Sequence, residues 1–171
     1  IGKTLGLIAM GKIGCKVASI CQSLGMKVIA YDPYLDPKKA AELNVELHTM
    51  QDVLKNADVI SIHSPLTKET YHMIGKDEID LMKKGAYIIN LGRGGIIDED
   101  ELYKALIENK IAGAALDVIE NEPPQDTKLL CLDNVIVTPH TGAGTFEAQS
   151  YIALSLANQV LDYMDKLSVI A

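Results

Sequence analysis

A chain of 171 residues is one domain of ordinary size, able to bury about 70% of the surface its unfolded form exposes. With 16 Lys and Arg against 23 Asp and Glu, the net charge is −7, which argues against non-specific nucleic-acid binding and against an anionic membrane surface. The longest charge-free stretch, residues 148–161, is too short to span a bilayer, and no secretory leader pattern precedes the first apolar run.

In chain order, a strand over residues 4–9 runs into Ala9-Met10-Gly11-Lys12-Ile13-Gly14 and a helix over 12–24. That helix carries Ile13, Val17, Ile20, Cys21 and Leu24 on one stripe and stops at Gly25. A second strand, 27–31, leads to Asp32-Pro33. Further strands are expected at 59–63, 86–90, 112–117 and 135–138. Helices over 50–56 and 99–109 open at the capping patterns Thr49-x-x-Asp52 and Asp98-x-x-Glu101, and a last helix runs from about 146 to 166. The strands are apolar on nearly every residue, as burial on both faces of a parallel sheet requires. Strand–helix alternation with such strands predicts an α/β fold with a doubly wound parallel sheet, one domain over 1–171. Cys15, Cys21 and Cys131 have no ligand-like spacing and read as buried thiols of a reducing compartment, cytoplasmic by default; no metal is expected.

In such sheets ligands bind beyond the carboxyl ends of the strands. The first loop matches Gly-x-Gly-x-x-Gly at Gly11 and Gly14, with Ala9 in the first glycine position. Gly11 lets a backbone approach a pyrophosphate, and Gly14 lets helix and strand pack closely. A tight strand–helix turn with no ligand remains the alternative. Asp32 strengthens the nucleotide reading, because a carboxylate ending the second strand accepts from both adenosine ribose hydroxyls and repels a 2′-phosphate. No Arg follows it, so NAD is favoured over NADP. Gly6-x-x-x-x-Gly11-Lys12 imitates a P-loop, but Ile13 stands where a Ser or Thr must ligate magnesium. If residue 9 takes positive φ, its methyl group costs about 1 kcal/mol.

Later strand ends carry Arg93 in Leu91-Gly92-Arg93-Gly94-Gly95, Asp117, Glu122 in Glu120-Asn121-Glu122-Pro123-Pro124, and His140 in Thr138-Pro139-His140-Thr141-Gly142-Ala143. A guanidinium fork suits a substrate carboxylate. A histidine titrating near neutrality suits proton transfer at an alcohol as hydride leaves. A carboxylate beside it would fix its tautomer and favour the imidazolium. His48, His63 and His72 read as structural or surface residues, and Glu120 as a solvated loop charge.

These motifs, with Pro65-Leu66-Thr67-x-Glu69-Thr70 and Ala114-Ala115-Leu116-Asp117-Val118, resemble the D-isomer-specific 2-hydroxyacid dehydrogenases, and within them the phosphoglycerate dehydrogenase-like members. The resemblance implies a Rossmann-type NAD-binding domain in which Arg93 is the carboxylate-binding and catalytic arginine, His140 the acid/base and Glu122 the carboxylate behind it. It implies that Gly11, Lys12, Ile13 and Gly14 meet the pyrophosphate, Asp32 the ribose and Asp117 the nicotinamide carboxamide. Ser64, Leu91, Gly92, Arg93, His140, Gly142 and Ala143 would line the rest of the cofactor cleft. Lys12 stands where the family more often has Arg. It further implies a 2-hydroxyacid or 2-oxoacid substrate, a homodimer formed through this domain, and a separate substrate lobe absent from these residues. The chain is therefore expected to bind NAD(H) with little turnover. An NAD-sensing module without turnover is the alternative.

Overall fold

Seven strands pair in parallel into one sheet: β1 (Thr4–Ile8), β2 (Lys27–Tyr31), β3 (Glu46–Leu47), β4 (Val59–Ile62), β5 (Tyr87–Asn90), β6 (Gly113–Leu116) and β7 (Val135–Val137). Their order is β3-β2-β1-β4-β5-β6-β7, so the winding reverses between β1 and β4. That switch point is where such sheets open a crevice at their carboxyl ends. The computed structural model describes residues 2–125 and 128–168, which divide into two units, Ile1–Thr138 and Pro139–Ala171.

The first unit holds the sheet and helices α1 (Lys12–Ser23), α2 (Pro37–Glu42), α3 (Met50–Asn56), α4 (Lys76–Leu81) and α5 (Glu99–Ile107). Alternate strand residues feed two cores. Leu5, Leu7, Val28 and Ala30 pack with Ala18 of α1. Ile8, Ile60, Ile62 and Ile88 pack with Leu54 of α3, Ile79 of α4 and Leu102 and Leu106 of α5. Helices thus cover both faces of this doubly wound sheet. Each fully buried isoleucine or leucine contributes about 2 kcal/mol by leaving water.

Helix ends follow the local chemistry. Gly25, at φ 80°, ends α1: its N–H donates to Gln22 O at 2.8 Å and the Met26 N–H to Cys21 O at 3.0 Å. Asn109, at φ 55°, does the same for α5, which ends two residues before the expected 109. The Asp98 carboxylate caps α5 by accepting from Asp100 N and Glu101 N, both at 3.1 Å. Strand 4–9 is shortened to Ile8 because Ala9 turns to φ 72°. Sequence patterning did not foresee α2, α4, β3 or the 3₁₀ turn Leu129–Cys131. The thiols also need correction: Cys15 and Cys21 are only half-buried, and Cys131, on that 3₁₀ turn, is exposed.

The second unit is the loop from Pro139 and the helix α6 (Phe146–Ser168). Thr145 opens α6, its Oγ1 accepting from Ala148 N at 3.1 Å. Among the described residues no helix is long and apolar enough to cross a membrane. Among them, too, no three His, Cys, Asp or Glu side chains are grouped to hold a metal ion.

Candidate cofactor and active site

Ala9 leaves β1 with its N–H donating to Tyr31 O at 2.9 Å, and its left-handed backbone swings Met10 toward the end of β2. There the Asp32 carboxylate accepts from Met10 N at 2.7 Å and from Tyr34 N at 2.8 Å. A carboxylate has about four acceptor sites, so two backbone amides leave capacity for two ribose hydroxyls. Gly11 is the N-cap of α1 and gives its first-turn amides no side-chain acceptor, and no acidic residue occupies that turn. A Cβ at Gly11 would stand in open space, whereas one at Gly14 would meet Ala9 O at 2.6 Å. The two matched glycines therefore do different work: Gly11 leaves room above the helix terminus, and Gly14 brings helix and loop together. An amide-rich, positively polarised terminus with room before it suits a diphosphate.

β4 runs on into His63 and Ser64, beside that loop. His63 Cδ2 lies 3.7 Å from where a Gly14 Cβ would stand. Its Nε2 bonds Ser61 Oγ at 3.0 Å, while its Nδ1 and the Ser64 hydroxyl are buried without a hydrogen-bond partner. Burial holds the His63 imidazole below its ordinary range, so it stays neutral at neutral pH. A buried hydroxyl left unpaired costs about 1–3 kcal/mol, and Ser64 is only 6% exposed. Such a group fits a crevice that a nucleotide fills. Ser64 also abuts the next loop, since its carbonyl lies 2.6 Å from where a Gly92 Cβ would stand.

That next loop follows β5. Asn90, 2% exposed, closes it: its Nδ2 donates to Arg93 O at 2.9 Å and its Oδ1 accepts from Gly92 N at 3.0 Å. Leu91 and Arg93 are exposed, and Arg93 Nη1 donates to Gly92 O at 2.7 Å. A Cβ at Gly94 would stand 1.9 Å from Ile119 O, so only glycine lets the Arg93 loop touch the loop after β6. On that neighbouring loop, Glu122 accepts from Ile119 N at 3.2 Å. Asp117 directly follows β6, and the Thr138 hydroxyl donates to its carboxylate. Ser64, Leu91, Gly92, Arg93, Asp117 and Glu122 thus lie on successive loops at one end of the sheet. His140 (φ 51°), Gly142 and Ala143 belong to the second unit. There Gln149 Nε2 donates to Ala143 O at 2.8 Å and Gly144 N to Thr141 O at 2.8 Å.

Glu120 is an exposed loop charge, as expected, but a partnered one. Its side chain is 29% exposed and accepts from the Tyr71 hydroxyl at 3.0 Å, with His72 Nε2 at 3.2 Å. The bond to Glu120 raises the Tyr71 phenol above its usual range. Glu120 N in turn donates to Glu99 Oε1 at 2.6 Å, and burial pushes the Glu99 carboxyl up. Sequence reading missed Asn90, His72 and Glu99 as site-building residues. For Asn90 the signal was available, a polar residue ending an apolar strand before a glycine-rich loop. A lone histidine and one helix-opening glutamate carry no comparable pattern.

The NAD-binding domain model of the D-isomer-specific 2-hydroxyacid dehydrogenases matches residues 1–142. The D-3-phosphoglycerate dehydrogenase of Methanocaldococcus jannaschii is 51% identical over 93% of this chain and 30% of its own length. The hydroxypyruvate reductase of Thermotoga maritima is 47% identical over 94% of this chain and 52% of its own. The crystal structure of a glyoxylate reductase from Paecilomyes thermophila superposes with a TM-score of 0.91 at 35% identity, over 96% of this chain and 50% of that one. The chain therefore spans between about a third and a half of the relatives it matches. It belongs to the D-isomer-specific 2-hydroxyacid dehydrogenase family, as a Rossmann-type NAD-binding domain.

Proposed function

We propose that this domain serves an NAD-dependent dehydrogenase that exchanges hydride between the nicotinamide and a D-2-hydroxyacid or its 2-oxoacid, of phosphoglycerate, hydroxypyruvate or glyoxylate type. The observation that carries this reading is the close contact of the Arg93 and Glu122 loops, which leave neighbouring strands of the sheet whose β1 loop has the nucleotide-binding form. Because the chain spans 30% and 52% of the two relatives described, turnover is proposed for the full-length chain, with a substrate lobe outside these residues.

When bound, NAD supplies the hydride acceptor. Gly11, Lys12, Ile13 and Gly14 hold the pyrophosphate, Asp32 the ribose hydroxyls, and Ser64, Leu91 and Gly92 line the cleft. Asp117 would take the carboxamide, and the resemblance assigns Gly142 and Ala143 to cofactor binding as well. Arg93 binds the substrate carboxylate through two parallel N–H bonds and so aligns the reacting carbon. His140 accepts the hydroxyl proton in oxidation and returns it in reduction. By the resemblance, Glu122 is the carboxylate that orients that imidazole. The resemblance and a family match extending past His140 support these roles. The same resemblance supports a homodimer formed through this domain, and three cysteines without disulfides support a cytoplasmic setting.

Fluorescence titration with NADH tests the binding half: saturable binding is expected, and none at millimolar cofactor overturns the site. Assays with hydroxypyruvate, phosphohydroxypyruvate and glyoxylate test the chemistry. The full-length chain is expected to reduce at least one of them, and this domain alone none at a comparable rate. His140→Ala in the full-length chain should abolish turnover and leave NADH affinity intact. A sensing module would lose neither.

A further inference from the structure

Three segments meet behind the Arg93 and Glu122 loops, and His72 stands at their junction. Its backbone is stitched to the Arg93 loop: His72 N donates to Gly95 O at 2.8 Å, Ile74 N to Ile96 O at 3.1 Å, and Asp98 N to Ile74 O at 3.0 Å. Its ring reaches both loops. Nδ1 lies 3.5 Å from Asp98 Oδ2, at the end of the Arg93 loop, and Nε2 lies 3.2 Å from Glu120 Oε2, two residues before Glu122. The ring stacks on Tyr71 with centroids 4.0 Å apart and planes 14° from parallel, and the Tyr71 hydroxyl bonds the same Glu120. Of its two carboxylate contacts, the approach to Glu120 is the shorter. His72 keeps this position at φ 48°, a left-handed backbone uncommon for a residue with a side chain. Strain retained at such a junction points to a side chain that the surroundings require.

We propose that His72 is a positioning residue whose imidazole, seated between Asp98 and Glu120, fixes the Arg93 and Glu122 loops in mutual register. The inference rests on the dehydrogenase reading of those loops. The clamp acts through Glu120: its carboxylate is held by His72 and Tyr71 and its amide by Glu99, so the turn that aims Glu122 is anchored from both ends. The cavity of about 330 Å³ lined by His72, Asp98, Glu99, Glu120 and Lys128 shows that the ring stands at an open junction rather than in packed core. Removing it therefore loosens the loops without emptying a core.

His72→Gly is the informative variant, since glycine adopts positive φ freely and the loss of the ring is isolated from backbone strain. In the full-length enzyme, kcat/KM for the 2-oxoacid should fall about 10- to 100-fold, as misplaced reacting groups do, while the NADH Kd stays within about twofold. His72→Asn, which tolerates the same backbone and restores one N–H donor, should recover part of the loss. In the 171-residue domain, amide exchange should quicken at residues 93–98 and 119–122 of His72→Gly and stay unchanged in β1 and β2. The proposal is overturned by an unchanged kcat/KM, by NADH affinity falling in parallel, or by exchange quickening across the whole sheet. A wild-type enzyme that reduces no 2-oxoacid defeats the functional reading instead. The exchange pattern then decides the clamp alone, local quickening supporting it and no change overturning it.

Discussion

Around the nucleotide loop, geometry is set by backbone. One carboxylate, Asp32, gathers two amides, and one glycine, Gly14, brings a helix against the Ala9 carbonyl. Around the Arg93 and Glu122 loops, geometry is set largely by side chains that carry or share charge: Asn90, His72, Tyr71, Asp98, Glu99 and Glu120. The first arrangement needs small residues in fixed backbone states. The second can be re-aimed by moving one ring, which would suit the proposed role of these loops in presenting a guanidinium and a carboxylate. The two regions share one device, a glycine against a neighbouring carbonyl, and that device is where the contrast breaks most easily.

Gly94→Ala should have the largest effect, because its methyl group would meet only rigid backbone, that of Ile119 and Glu120. We expect a loss of about 3 kcal/mol by thermal or urea unfolding, at the upper end for overpacking, together with loss of turnover in the full-length chain. Gly14→Ala should cost about 2 kcal/mol by the same measurements and weaken NADH binding by fluorescence titration. Equal stability losses with intact NADH binding would show that the first loop is only a packing joint. Asp32→Ala removes two charge-assisted bonds to amides and should cost about 1 kcal/mol in stability, with about a tenfold loss of NADH affinity. Ala9→Gly runs the other way, relieving a left-handed methyl-bearing residue and raising stability by about 1 kcal/mol.

The smallest effect concerns acid. Asp58 accepts from Thr4 N at 2.8 Å, with Lys83 at 3.3 Å, and these hold its carboxyl below the usual range. A lowered folded-state value means the stabilisation is fully present above the unfolded value of about 3.9 and is withdrawn as pH falls below it. Asp58→Asn should therefore lower stability slightly at neutrality, where that contribution is present, and converge with wild type in strong acid, flattening the acid limb of a stability–pH curve below about pH 4. An acid limb identical to wild type would remove Asp58 from the account.

Much of this architecture was written in local pattern. The near-continuous apolar runs Val28-Ile29-Ala30 and Ile60-Ser61-Ile62 could only suit a sheet covered on both faces, and Gly25 marked the end of α1. The short elements were hidden for physical reasons. Six residues of α4, Lys76–Leu81, span less than two turns and show no stripe, and β3 pairs through only Glu46 and Leu47. For α2 the signal existed, an Asp36 cap followed by Pro37 at the first helical position. In the candidate site, type and strand-end position were enough to single out Arg93 and Glu122 as residues to propose. They were not enough for His72 and Glu120, because their roles arise from the fold bringing residues 71–72, 98–99 and 120 together.

Asp32 carries a consequence for anyone wishing to redesign cofactor choice. The carboxylate that would discriminate against a 2′-phosphate is also the acceptor that seats the Met10 amide in the loop before α1. A single exchange of Asp32 for a smaller or cationic residue would admit the new cofactor while unseating the loop meant to grip it. Switching preference here calls for a second substitution that returns an acceptor to that amide.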